Sequence, residues 1–507
     1  MPGRLVSPWV VAALGAAVYQ LVAPESADLA AQEYRADLGL VIWNNGWFAG
    51  HHTPGYSALF PPLAGALGVR LTGALAAVAA AALFARLARR HWGSRPRAAA
   101  AASLWFAAGT IAVLLTGRIT FLLGVAIAAG ALLALSHDRR ALTLALAALT
   151  TLASPVAGLF VALAAAAWAL AQRRHAYGAA VAAAAVAPIA VALVLFPQGG
   201  SEPFAASAFW PALAGTLLVA ALLPARERTL RIAALLYALA LVAAFAVATP
   251  LGGNASRLGA LAAGPVALGA LLGRRSPALV GALALALAYW PLYPAVRDVA
   301  RASGDPSVQA AYHAPLVRFL QTRPRQGGFR VEIPFTENHW EARYVAPAIA
   351  LARGWERQLD RRFGRLFYDG GIDAAGYRAW LDERAVAYVA VPDVAFDYAG
   401  RDEARLVDAG LPYLHEIWRN AHWRVFAVAH PTPLADGARA TLSPGAITLR
   451  AARAGGVLVR VHHTRWWRVT AGRACVFAAP DGMTRVEVRK RGTVRLQARL
   501  TGSSCRR

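Results

Sequence analysis

Cysteine is almost missing: Cys475 and Cys505 are the two in 507 residues, both near the C-terminus. No Cys/His spacing of the metal-binding kind occurs anywhere, so the sequence offers no zinc module. There is no glycine-rich phosphate loop with its lysine, no nucleophile elbow and no metalloprotease helix. A nucleotide-driven pump is therefore not expected. No internal repeat stands out, which speaks against transporters built from inverted halves. Acid is the scarce charge, 27 Asp and Glu against 52 Lys and Arg, a formal net charge of +25. An excess of that sign can mark a nucleic-acid binder. Here much of the arginine sits in short groups between apolar runs, where it sets membrane topology. No nucleic-acid partner is expected.

What is abundant is apolar length. Hydrophobic residues make up 58% of the chain and the mean hydropathy is +0.43. Runs of about spanning length recur at 9–22, 71–88, 98–115, 121–135, 141–152, 156–171, 179–196, 211–223, 230–248, 258–272 and 278–296. The pattern predicts a polytopic α-helical membrane protein of about eleven spans. The first run, with a short basic start, has the look of a signal peptide; an uncleaved first span is the preferred reading. Basic groups at 86–97, 137–140, 173–175, 226–231 and 274–275 fall at every second connection. The connections between them hold few basic residues: Arg35 in the opening loop 24–60, Arg70 at the edge of the next run, Arg118 and Arg257. Positive residues stay inside, so the N-terminus is expected in the cytoplasm, and the loop 24–60 and everything after Arg297 on the outer side of the cell membrane.

From 297 onward apolar runs shorten and charge becomes frequent. Residues 297–432 read as a small extracytoplasmic α/β domain, with a helix at 311–320 and strands at 329–333, 387–392 and 423–429. Residues 433–507 alternate in the manner of a β-sandwich. Cys475 lies in one of its strands and Cys505 just after the last. They are either bridged, as an oxidising compartment allows, or two free thiols.

The longest polar interruption of the membrane part, 28–63, is where chemistry is expected. Asp28 precedes a helical run. It reads first as an N-cap, a role compatible with a rigid carboxylate placed to take a proton from a hydroxyl. Glu33 and Asp37 share a helical face, as a second acidic pair or as the wet side of an interfacial helix. His51 or His52 could donate to a phosphate, or serve as a hydrogen-bonded loop residue. Trp47 and Tyr56 belong to an aromatic group that suits either an interfacial belt or a platform for a sugar ring or prenyl chain. Arg118 and Arg257 could clamp a lipid phosphate or snorkel to headgroups. Glu202 sits in another outer loop.

This layout resembles the GT-C superfamily, polytopic glycosyltransferases that use polyprenyl-phosphate-linked sugars. In its aminoarabinose- and mannose-transferring members the first outer loop carries an acidic start, a Tyr, a Gly/aromatic stretch and P-P-L where the chain returns to the membrane. Asp28, Tyr34 and Phe60-Pro61-Pro62-Leu63 stand at those places. Leu29 replaces the second acid of the pattern, which leaves Glu33 and Asp37 as alternatives to Asp28. The tail is similar to YfhO-like bacterial membrane proteins through Trp380 to Pro392 and Val459 to Trp467. The resemblance implies inverting transfer to a cell-envelope glycan or lipid acceptor. A lipid-linked sugar would be the donor and an outer-loop Asp the general base. Some relatives hold a divalent metal on further outer-loop acids; the loops after the third and fifth runs lack them, so no metal or other cofactor is expected. A transporter or flippase for a lipid-linked or small solute, and a non-catalytic scaffold, are the competing readings.

Overall fold

The computed structural model describes residues 7–197, 199–323 and 328–506. The residues before Ser7, which carry the basic start, lie outside the described residues. The chain divides into two compact units. The first comprises 1–32, 54–197 and 201–303; the second comprises 33–53, 198–200 and 304–507. The boundary expected at 296/297 thus moves to 303/304. The stretch 33–53 leaves the membrane part and belongs to the second unit. The α/β region and the sandwich, expected as separate domains, fall in that same unit.

The first unit is helical: α1 (Pro8–Val22), α2 (Ala27–Leu38, of which 33–38 belong to the second unit), α3 (Phe60–Leu67), α4 (Val69–Trp92), α5 (Pro96–Leu115), α6 (Ile119–Ser136), α7 (Arg140–Ala153), α8 (Pro155–Gln172), α9 (His175–Leu195), α10 (Ala206–Leu222), α11 (Arg228–Ala246), α12 (Arg257–Leu271) and α13 (Pro277–Ala302). Each of the eleven expected runs is a helix. Seven are long and apolar enough to cross a membrane: α4, α5, α6, α8, α9, α11 and α13. The pair α1 and α2, bent by 83°, makes an eighth if it counts as one span. The chain is a multi-pass helical membrane protein. Where it returns toward the membrane, Phe60-Pro61-Pro62 opens the two-turn helix α3, which ends at Gly68 in a positive-φ conformation (φ 87).

Small residues let these helices approach closely. On α12, a Cβ at Gly259, Gly264 or Gly269 would stand 2.2, 2.2 or 2.4 Å from the indoles of Trp290, Trp105 and Trp92. Three ring contacts, from α13, α5 and α4, thereby fix the helix that begins with Arg257. Arg70, an isolated charge in the sequence, is satisfied at the bend after α1: it donates to the Pro24 carbonyl at 2.9 Å and to Glu25 at 2.7 Å.

The second unit holds β1 (Trp43–Asn44) and β2 (His51–His52), a hairpin pairing Trp43 with His52. Its α/β part contains α14 (Ala310–Gln321), β3 (Arg330–Glu332), α15 (Glu341–Tyr344), α16 (Arg357–Phe363), α17 (Ala374–Glu383), β4 (Val386–Pro392), α18 (Arg401–Asp408), β5 (Leu414–Arg419) and β6 (Trp423–Val428). The sheet runs β3-β4-β6-β5, with β3 and β4 parallel and the other pairs antiparallel. The sandwich follows as β7 (Ala438–Ser443), β8 (Ala446–Ala451), β9 (Gly455–His462), β10 (Trp467–Ala471), β11 (Ala474–Ala478), β12 (Met483–Val488), β13 (Gly492–Ala498) and β14 (Cys505–Arg506). Its two four-stranded sheets are ordered β10-β13-β8-β7 and β14-β11-β12-β9. Alternating residues such as Leu449, Val459, Val486 and Leu496 form its core with Trp467. Cys475 and Cys505 are bridged, tying β11 to β14.

Candidate active site

Within the first unit, Asp28 lies in the first turn of α2 and not before it, because the helix opens at Ala27. The expected N-cap role is therefore corrected. The carboxylate instead accepts a hydrogen bond from Arg118 Nε at 3.1 Å. Arg118 follows Gly117 in the short loop between α5 and α6. Gly117 has φ 71, and a Cβ there would stand 2.5 Å from Ser26 Oγ and 2.6 Å from the Leu29 amide. The backbone passes too close to the start of α2 for any other residue, and that approach brings the guanidinium to the carboxylate. Both side chains keep contact with solvent, at 28% and 33% exposure.

Arg257 opens α12. Its guanidinium stands 5.5 Å above the Phe121 ring, with Arg118, Asp28, Tyr56 and Glu202 in electrostatic reach. Glu202 is set by a hydrogen bond that its backbone N–H donates to the Thr249 carbonyl, 3.0 Å. Tyr56 is held through a short chain: the Thr120 hydroxyl donates to Gln32 Oε1, and Gln32 Nε2 donates to the Tyr56 oxygen at 2.9 Å. Near the end of α13, Asp298 accepts from Arg297 at 2.7 and 2.9 Å, and lies in electrostatic reach of Arg118 and Asp28. Gln32, Thr120 and Asp298 were not singled out in the sequence. The signal for Asp298 was an Arg-Asp pair at the end of the last apolar run.

Beside this cluster lies an apolar cavity of about 710 Å³. Phe121 and Leu258, next to Arg257, line one end; Phe160, Leu132 and Trp168 line its length; Arg90 and Ser136 stand at the other. Along α6, Phe121 and Ser136 are separated by about 22 Å at helical rise. None of Asp28, Arg118 and Arg257 lines the cavity itself; Arg257 reaches its wall through the Phe121 ring on which it sits, and the cavity is long and apolar enough for a hydrocarbon chain. Among the described residues no group of three or more His, Cys, Asp or Glu is arranged to hold a metal.

The remaining expected site residues belong to the second unit and have structural partners there. Glu33 and Asp37 do share a face, where Arg343 pairs with both, at 3.3 and 2.6 Å. Trp47 is corrected from belt or open platform to core. It is fully buried, stacked on Tyr34 with centroids 4.4 Å apart and packed under Gly354. The expectation that His51 or His52 meets a phosphate is corrected as well, because both are buried. His51 accepts from Asn44 Nδ2 at 3.0 Å and its other nitrogen contacts the His52 carbonyl at 2.9 Å. Burial and nearby Arg35 push its pKa down to about 3, so the ring is neutral. His52 Nε2 bonds Thr464 at 2.9 Å. Asn45 anchors the hairpin by donating to the Ser443 and Ala446 carbonyls at 2.8 and 2.9 Å.

Among solved structures the chain is similar to ArnT from Cupriavidus metallidurans, crystallised with undecaprenyl phosphate bound. Identity is 15%, the match covers 84% of this chain and 100% of that one, and the TM-score is 0.40. No protein-family model matches the chain. No curated protein matches it either.

Proposed function

We propose that this protein is an integral membrane glycosyltransferase of GT-C type, moving a sugar from a polyprenyl-phosphate donor to a cell-envelope acceptor on the outer face. The observation that carries this reading is the pairing of Asp28 with Arg118, with Arg257 in electrostatic reach and seated over Phe121, a ring that lines a 710 Å³ apolar cavity. A lipid phosphate with a greasy tail has the matching shape: anion at the arginines, chain in the cavity. Asp28 takes the proton from the acceptor hydroxyl as its oxygen attacks the anomeric carbon. The bond from that carbon to the phosphate breaks with its electrons, and Arg118 and Arg257 receive the phosphate charge. A phosphate leaving group needs cationic stabilisation and no proton. Asp298, paired with Arg297, adds a second negative charge within electrostatic reach of Arg118. Glu33 and Asp37, engaged with Arg343, are spectators in this scheme. It uses no metal, so activity should survive EDTA. The second unit binds the acceptor in this reading.

The transporter reading wants ionisable groups at mid-membrane depth. The nearest exception, Arg70, is satisfied at the α1–α2 bend.

Photo-crosslinking with a long-chain polyprenyl phosphate tests donor placement. Label should enter α6 and α8, and Ala164→Trp, which fills the cavity, should abolish it while a short, water-soluble prenyl phosphate still competes at the arginines. Labelling unchanged by Ala164→Trp would remove the cavity from the reading.

A further inference from the structure

The membrane part does not account for all of the positive charge. Residues 433–507 carry fifteen basic residues against three acidic ones, a net +12 of the chain's +25. These residues form the sandwich, not the connections between spans, so topology cannot explain them.

Two of the three acids are already matched. Asp436 is held by Arg460 at 2.8 Å and Glu487 by Arg485 at 2.8 Å. The third, Asp481, binds the Met483 amide in the β11–β12 turn. The opposite end of the sandwich is basic. Arg489, Lys490 and Arg491 form the β12–β13 connection, and Arg453 lies in the β8–β9 connection. The register places the two side by side, since Gly492 pairs with Ala451 and Val488 with Gly455. Arg473 adjoins them, its carbonyl accepting from the Arg489 amide at 2.9 Å. On the adjoining sheet face Arg439 stands directly opposite Arg450. Like charges in cross-strand register repel, a cost that an isolated sheet has no reason to keep. All seven side chains are exposed. Among the described residues none of the seven has an ion-pair partner.

We infer that this end of the sandwich is a docking surface for an anionic polysaccharide bearing carboxylate or phosphate groups. Six of the seven cations are arginine, whose planar fork fits such oxyanions in pairs. The sheet face continues the track in two cross-strand rows over β7, β8 and β13: Arg439, Arg450 and Thr493, then Thr441, Thr448 and Arg495. A sugar chain can use hydroxyls and charge together. No exposed aromatic ring lies in these connections to stack bases, as single-stranded nucleic acid prefers. No exposed large apolar side chain lies there to anchor in a bilayer. The inference stands on the sandwich alone; the transferase reading supplies a use for it, as the surface that holds a charged acceptor.

The test uses the full-length protein in nanodiscs of neutral lipid, with polyglucuronate as probe and dextran of equal length as control. Polyglucuronate should bind, weaken steeply with added salt, and lose at least tenfold affinity in the Arg453→Gln, Arg489→Gln, Lys490→Gln, Arg491→Gln variant. The matched variant Arg139→Gln, Arg140→Gln, Arg173→Gln, Arg174→Gln, in the connections between spans, should bind as wild type. Equal loss in both variants would reduce the effect to overall charge and overturn the proposal. So would stronger retention of phosphatidylglycerol vesicles or single-stranded DNA by the same four residues. Binding that follows this pattern in a transfer-dead Asp28→Asn protein would keep the surface and leave the enzymatic reading to be judged separately.

Discussion

Arg118 and Asp28, ninety residues apart in the chain, meet at 3.1 Å between Nε and Oδ2. The contact orients the carboxylate and brings a cation to the same place, the two requirements for a hydroxyl attack that expels a phosphate. At about one-third exposure such a pair contributes only ~0–1 kcal/mol to folding. Its purpose is therefore to be sought in chemistry rather than stability. Arg118→Gln should leave the thermal midpoint nearly unchanged and lower kcat/KM at least tenfold. Combined with Asp28→Asn it should add little, because both act on one event. Fully additive losses in the double variant would mean that the two residues work apart.

Gly117 makes that contact possible. Its positive φ and its approach to Ser26 and the Leu29 amide leave no room for a side chain. Gly117→Ala should displace Arg118 from α2, costing on the order of 1–3 kcal/mol in stability. Activity should fall as in Arg118→Gln, and crosslinking of the prenyl chain in the cavity should persist. An alanine variant with wild-type turnover would show that the loop tolerates the shift.

The second unit carries a pH-dependent core. Arg353 is buried among three carboxylates, at 2.6 Å from Asp360, 3.1 Å from Glu403 and 3.9 Å from Glu332. One guanidinium cannot balance three charges. Burial, with Glu403 beside it, raises the Glu332 carboxyl well above its usual range, and burial raises Glu403 to about 7. The folded state thus holds a proton that the unfolded chain releases near pH 4.5, so stability falls as pH rises through the folded value. His51 and His462, both lowered to about 3 by burial, act in the opposite sense, but only between their folded and unfolded values. Above pH 6.5 they no longer contribute. Above pH 6.5 the wild type should lose up to about 1.4 kcal/mol per pH unit for each proton the folded state still holds, and Glu332→Gln should flatten that slope. Denaturant titrations across this range check it; parallel slopes would place the proton elsewhere.

Much of this architecture was legible in the sequence because it rests on collective signals. The runs that became α4 to α13 announce themselves by length and by the basic groups at alternate ends. Six of the eight sandwich strands, β8 to β13, followed from alternation with only small shifts at their ends. What stayed hidden depends on contacts far along the chain. Trp47, His51 and Asn45 have the composition of an interfacial loop. Their burial depends on Gly354, on Arg35 with Glu356, and on the Ser443 and Ala446 carbonyls, none of which local pattern can supply. Asp298 was invisible for the complementary reason: at the exit of a hydrophobic run an Arg-Asp pair reads as the start of a solvated tail. Only the folded helix brings it into reach of Arg118. Asp28 itself was found for its position in the loop, while its partner Arg118 stood as one of two candidate arginines, with Arg257 slightly favoured.

The most direct test of the account is the turnover of Asp28→Asn in reconstituted proteoliposomes, given a polyprenyl-phosphate sugar donor and an envelope acceptor. Sugar transfer should fall by about 10²–10⁴, with donor crosslinking in the cavity intact and Glu33→Gln and Asp37→Asn close to wild type. Asp28→Asn transferring sugar at the wild-type rate would contradict it.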